Sequence, residues 1–229
     1  MSETSGILLI DKPKGMTSHD VVDFIRKKFG IKKVGHAGTL DPSATGLLVI
    51  LIGKATKLSS GFSDSDKVYE GVLTLGRKTD SGDADGKTVL EGCIEKVSEA
   101  DIRGTFRSFE GDIEQVPPMV SAIHHKGSRL YELARKGKEV PREARKIKIS
   151  RLEISGIDLP DVGFSVTCSK GTYIRKLCDD IGDKLGCGGY LSCLRRIRSG
   201  DFSIDGAANL DRIKTFTSGE MMARLLKYE

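Results

Sequence analysis

"VGHAGTLDPSATGLLVILIG", residues 34–53, decides how this chain is read. Its second half, "LLVILIG" (47–53), is an unbroken apolar run too short for a typical helix and suited to a strand buried on both faces. Its first half packs Gly35, His36, Gly38, Asp41 and Gly46 into a dozen positions, with Asp41 directly before Pro42. An Asp before a Pro is often no more than a turn former. Three glycines nearby alter the reading, because they allow tight backbone paths that bring main-chain donors close to a side chain or ligand. Such a loop can hold one carboxylate ionised and fixed, which a nucleophile requires.

Outward from this centre the pattern alternates between strands and helices without strict βαβ order. "GILLIDKP" (6–13) reads as a strand stopped by Pro13, and "TSHDVVDFIRKKFG" (17–30) as a helix capped by Ser18 or Thr17 and ended by Gly30. Val21, Ile25 and Phe29 share one face of that helix. "KVYEGVLTLG" (67–76), "IKISRLEISGIDL" (147–159) and "VGFSVTCSKG" (162–171) read as strands. "SEADIRGTFRSFEG" (98–111) and "TYIRKLCDDIGDKLG" (172–186) read as helices, the latter with Ile174, Leu177, Ile181 and Leu185 facing a core. Strands outnumber helices, which predicts an α+β fold with a largely antiparallel sheet.

The chain has 229 residues, 38% hydrophobic and 30% charged, enough to bury a sizeable core. No apolar run approaches a membrane span, and the start "MSETSG" does not read as a secretory signal. Five cysteines with no C-x-x-C pair point to reduced thiols and a cytoplasmic location. Net charge is +5, but from His124 to Arg151 ten Lys/Arg face three Glu, so that stretch alone carries +7. Clustered cations of this kind are either a solvated face or a phosphate-facing surface. The region 118–146, charged and loop-like, reads as an insertion.

Several other chemistries fail on spacing. "GDADGKT" (82–88) leaves three residues between its first two glycines, where a phosphate loop needs four, and its register as a calcium loop puts Gly92 where a bidentate Glu is required. It reads instead as a polar turn between strands. His124 and His125 have no third metal ligand at a useful spacing, and no G-x-S-x-G elbow occurs.

Five blocks, "LLIDKPKGMTSHDVV", "VGHAGTLDPSATGLLVILIGKATK", "DSDKVYEGVLTLGRKTDSGDADG", "EQVPPMVSAIHHKGSRLYELARKGKEVPREARKI" and "CSKGTYIRKLCDDIGDKLGCGGYLSCLRRIRSGDF", together resemble the TruB family of tRNA pseudouridine-55 synthases, from about residue 6 to 213. The resemblance implies the pseudouridine synthase fold, with a central, largely antiparallel mixed sheet flanked by helices and loops. It implies one catalytic domain over 1–229, with the basic insertion at about 118–146 closing over RNA. The family's small C-terminal RNA-binding domain, PUA-like, is expected to be lacking, since "NLDRIKTFTSGEMMARLLKYE" (209–229) is the last stretch of the sequence.

By the same resemblance Asp41 is the catalytic nucleophile. Tyr69 stacks on the target uracil, Arg175 pairs with the aspartate, and Tyr173 and Leu194 line the uracil pocket. His36 contacts the RNA where the base is extruded, and Lys12 and Pro13 brace the active-site loop. The implied reaction converts a T-loop uridine of tRNA to pseudouridine with base flipping, by a monomer that uses no cofactor and no metal. Two alternatives stand beside it: an RNA-binding or tRNA-folding protein with little turnover, and a synthase acting on another RNA.

Overall fold

The computed structural model describes residues 4–121, 123–125 and 127–228. In chain order the elements begin with β1 (Gly6–Lys12), α1 (Ser18–Phe29), β2 (Val34–Ala37), β3 (Thr45–Ile52), α2 (Ser59–Ser63) and β4 (Lys67–Leu75). They continue with β5 (Arg77–Thr79), β6 (Thr88–Glu91), α3 (Glu99–Arg107), β7 (Gly111–Gln115), β8 (His124–His125), β9 (Ser128–Arg129), α4 (Leu130–Arg135), β10 (Arg145–Asp158), β11 (Asp161–Cys168) and α5 (Ile174–Lys184). The last are β12 (Gly189–Ser199), β13 (Phe202–Ser203), β14 (Ala208–Asn209), α6 (Leu210–Thr215) and α7 (Ser218–Ala223). No helix among the described residues is long and apolar enough to cross a membrane.

The chain divides into two compact units, 1–70 with 194–229, and 71–193. In the first, β3 is the central strand. β1 pairs with it antiparallel along its length, from Gly6↔Ile52 to Lys12↔Gly46. Its other edge is shared: β2 pairs antiparallel with residues 49–52, and β12 pairs parallel with Thr45 and Gly46. β14 adds a parallel partner to β1. The apolar run of β3 is continuous because both faces are covered. Leu47, Val49 and Leu51 pack with Ile7, Leu9, Ala37 and Ala55, while Leu48, Ile50 and Ile52 are equally buried on the opposite face.

Helix α1 forms as its sequence suggests, with Val21 and Ile25 buried and Gly30 closing it in the left-handed conformation. Thr17, not Ser18, is the cap. Its side chain accepts from the Asp20 amide and Asp20 answers on the Thr17 amide. Ser18 is thereby freed for another task.

In the second unit β4, β11, β10 and β7 lie side by side, β10 antiparallel to both neighbours. Helix α3 packs on β10, burying Ile102 and Phe106, and ends at Arg107. Phe109 therefore falls outside the helix expected to carry it and lies beneath the Lys184 ammonium. The segment "GDADGKT" is, as read, part of a polar turn, joining β5 to β6. The basic stretch read as loop holds a short ribbon, β8–β9, and the helix α4. Within it, Ala122 and Lys126 and the side chains of His124 and His125 lie outside the described residues.

Candidate active site

Asp41 sits in the connection between β2 and β3, a hairpin whose strands pair His36↔Ile50 and Ala37↔Val49. The connection is held on both sides of the carboxylate. Before it, the buried Ser18 hydroxyl binds Leu40 twice, accepting from its amide at 2.8 Å and donating to its carbonyl at 3.1 Å. After it, the Pro42 carbonyl accepts from the Gly15 amide at 2.8 Å and from Lys12 Nζ at 3.4 Å. The Ala44 amide closes the turn on the Asp41 carbonyl at 3.1 Å, with Pro42 at the position its fixed φ suits. A half-buried carboxylate thus projects from a backbone fixed one residue to either side.

Lys12 is fully buried and also donates to the carbonyls of Pro13 (2.9 Å) and Met16 (2.7 Å). Burial pushes its ammonium down to about 8, while Asp41 acts in the opposite sense and Arg196 adds to the depression. The same Arg196, 1% exposed, donates from Nε to the Leu47 carbonyl (2.8 Å) and from Nη2 to the Gly38 carbonyl (2.9 Å). Lys67, also buried, donates to the carbonyls of Ser63 and Ser65 at the entrance to β4. Tyr69 follows two residues later, half-buried.

His36 lies on β2 with its Nδ1 buried and lacking a hydrogen-bond partner among the described residues. Burial, then Arg196 and His19, lower its pKa below the ordinary value, so the imidazole is mainly neutral at pH 7. Leu194 is buried where β12 meets the start of β3, and its carbonyl accepts from Thr45 Oγ1 at 3.4 Å.

The second unit places Tyr173 and Arg175 at the beginning of α5. Tyr173 is the residue before the first turn, and the buried Gln115 side chain clamps it, accepting from its amide (2.8 Å) and donating to its carbonyl (3.1 Å). Arg175 is buried and donates to the carbonyls of Ser81 (3.0 Å) and Val120 (2.8 Å), with Nε 3.7 Å from Asp83 Oδ2. The polar β5–β6 turn thus has a second task, which is to hold this guanidinium in a defined plane.

The structure gathers Lys12, Pro13, His36, Asp41 and Leu194 around one loop of the first unit, which also contains Tyr69. It sets Tyr173 and Arg175 two residues apart at the start of α5 in the second. Sequence reading missed Arg196, Ser18 and Gln115, whose roles rest on partners distant in the chain. It also missed a second basic face: from Arg26 to Phe62 seven Lys/Arg accompany Asp41 as the only acid. Lys27, Lys28, Lys32, Lys33, Lys54 and Lys57 are all exposed, and the Gly53 amide bonds the Lys33 carbonyl, bringing two of these segments together. Asp179, Asp180 and Asp183 approach one another closely enough for a metal. Lys78 and Lys176 pair with them at 2.5–2.9 Å, so two ammonium groups offset most of the charge of the three carboxylates.

The model for the N-terminal domain of the TruB family pseudouridylate synthases matches residues 26–174, and that for the tRNA pseudouridylate synthase B C-terminal domain matches 175–227. A protein of Opitutus terrae named tRNA pseudouridine synthase B is 47% identical over 98% of this chain and 93% of its own length. One of the same name from Alkaliphilus oremlandii is 50% identical over 94% of this chain and 72% of its own. Among solved structures, a chain of a Cbf5-Nop10-Gar1 complex matches 96% of this chain with a TM-score of 0.74 at 30% identity. A chain of an H/ACA RNP bound to a substrate RNA containing 2'-deoxyuridine matches 95% with a TM-score of 0.69 at 28% identity. The chain spans 59% and 58% of the length of those two.

Proposed function

The chain belongs to the TruB family of pseudouridylate synthases, with the pseudouridine synthase fold, and from that premise we propose that it isomerises the uridine at position 55 in the T-loop of tRNA. The observation that carries this reading is the Asp41 loop: one half-buried carboxylate, with Leu40 and Pro42 each tied down beside it. Preorganisation of this kind is what a nucleophile needs, since its geometry costs nothing further at the moment of reaction.

In the reaction the bond from uracil N1 to the ribose C1' breaks and one from C5 to C1' forms. The C5 proton leaves and N1 regains one, so the isomerisation is redox-neutral and no electron carrier takes part. Asp41 supplies the nucleophile, Tyr69 a face for the uracil, and Arg175 a fixed cation for the substrate. Tyr173 and Leu194 each contact the uracil, and neutral His36 contacts the RNA where the base is flipped out. Lys12 and Pro13 keep the loop in shape. The basic insertion at 118–146 and the lysines of α1, of the connection to β2 and of the turn after β3 meet the phosphates of the RNA. All this occurs within one catalytic domain acting as a monomer in the cytoplasm.

The test is to map pseudouridine in total RNA from cells with and without this protein. Loss confined to position 55 of tRNAs is the expected outcome. An unchanged tRNA profile, or loss in a different RNA class, would refute the assignment.

A further inference from the structure

We propose that Arg196 is a positioning residue for the reaction, a clip that closes the base of the loop carrying Asp41; this rests on the reading of Asp41 as nucleophile. The loop leaves β2 at Gly38 and enters the long run of β3 at Leu47, and the Arg196 guanidinium donates to the carbonyl of each. One side chain therefore ties the two arms three residues before and six residues after the carboxylate. The main chain of the same residue lies against the loop as well. Arg196 pairs with Gly46, whose φ of 99° and lack of a side chain permit the approach; a Cβ there would overlap the Arg196 carbonyl oxygen. Gly38, with φ 82°, leaves room for the guanidinium, since a Cβ would come within 3.3 Å of Nη1.

Arg196 is the largest fully buried side chain of the described residues, and both of its hydrogen bonds go to main-chain carbonyls. A buried cation carries a desolvation cost that an apolar side chain of similar volume avoids, so stability alone favours Leu or Met here. A planar fork that spans two carbonyls fixes their separation as no apolar residue can. The loop is already tied to α1 through Ser18 and to the segment after β1 through Lys12 and Gly15. Beyond the last β2–β3 pair, Ala37↔Val49, Arg196 is the side chain that bridges the loop's own two arms.

The experiment compares wild type, Arg196→Lys and Gly38→Ala. Each is measured for kcat and KM on a T-arm RNA hairpin, for RNA dissociation constant, and for amide exchange of residues 38–47. Arg196→Lys keeps the charge but loses the fork; Gly38→Ala pushes the guanidinium from the other side. Both are expected to lower kcat by about 10–100-fold, the scale of an ångström-sized misplacement. KM and the dissociation constant should stay within about twofold of wild type, and exchange should quicken in 38–47 but not in β1 or α1. A kcat within about twofold of wild type in a folded Arg196→Lys would overturn the proposal. So would a rise in KM alone, or uniformly faster exchange. Failure of both variants to fold would assign Arg196 to stability and overturn it too. Absence of turnover by the wild type refutes the functional reading instead, and the exchange pattern still decides whether Arg196 clips the loop.

Discussion

Ser18 and Lys12 show how single side chains convert a turn into a device. Ser18 satisfies both main-chain groups of Leu40, a buried residue, so Ser18→Ala leaves a donor and an acceptor without their partner. The expected loss is about 1–3 kcal/mol of stability, measured by denaturant unfolding, together with a lower kcat. Lys12 gives a pH signature. Its folded pKa of about 8 lies below the unfolded value of 10.5, so the unfolded chain binds the extra proton between those limits. Its contribution is fully present above pH 10.5 and is lost as pH falls through 8, a difference of about 3 kcal/mol. Lys12→Met should therefore flatten the rise in stability between pH 8 and 10.5 relative to wild type. Parallel curves for the two proteins would show that Lys12 is not desolvated in the fold.

At the level of elements, β3 and β12 set the site. Gly46→Ala puts a side chain where the Arg196 main chain passes, in a backbone conformation that disfavours any Cβ. The strain alone is worth about 1–3 kcal/mol, and parting β12 from β3 adds to it; thermal unfolding of the variant measures both. The strand β3 was legible in sequence because it is a pure apolar run. The strand β12 was not, because Arg195, Arg196 and Arg198 break the apolar alternation that would have announced it. Arg196 sits two residues after Leu194 on the same buried face, and that spacing was the available signal. Thr17 and Ser18 were equivalent as caps until the fold gave Ser18 a partner 22 residues away. Asp41, its glycines and the turn of 82–88 were readable since their geometry is local. The Arg175 bonds to Ser81 and Val120 were not, because they join segments far apart in the chain.

For the whole molecule, charge placement matters more than the net value of +5. Exposed lysines gather in each unit, Lys32, Lys54 and Lys57 in the first and Lys136 and Lys138 in the second, and on the proposed function they are the cations that meet an RNA backbone. Arg142 differs from these, since it donates to the Pro117 carbonyl and the Glu139 carboxylate and so ties the insertion to its own base. Reversing Lys32, Lys54 and Lys57 to Glu should weaken tRNA binding. It should also flatten the plot of log affinity against log salt, by about 0.7–0.9 for each phosphate that is no longer neutralised. Titration at several salt concentrations reads this directly, and an unchanged slope would make the face a solvated surface.

One carboxylate is central to the proposed chemistry, and its most direct test is the Asp41→Asn variant on a T-arm hairpin under single-turnover conditions. The predicted result is a fall in pseudouridine formation of more than about 10³-fold. The RNA dissociation constant should stay within about threefold of wild type, because affinity is assigned to the basic faces and not to the loop. Pseudouridine formed by Asp41→Asn at the wild-type rate would contradict the central claim.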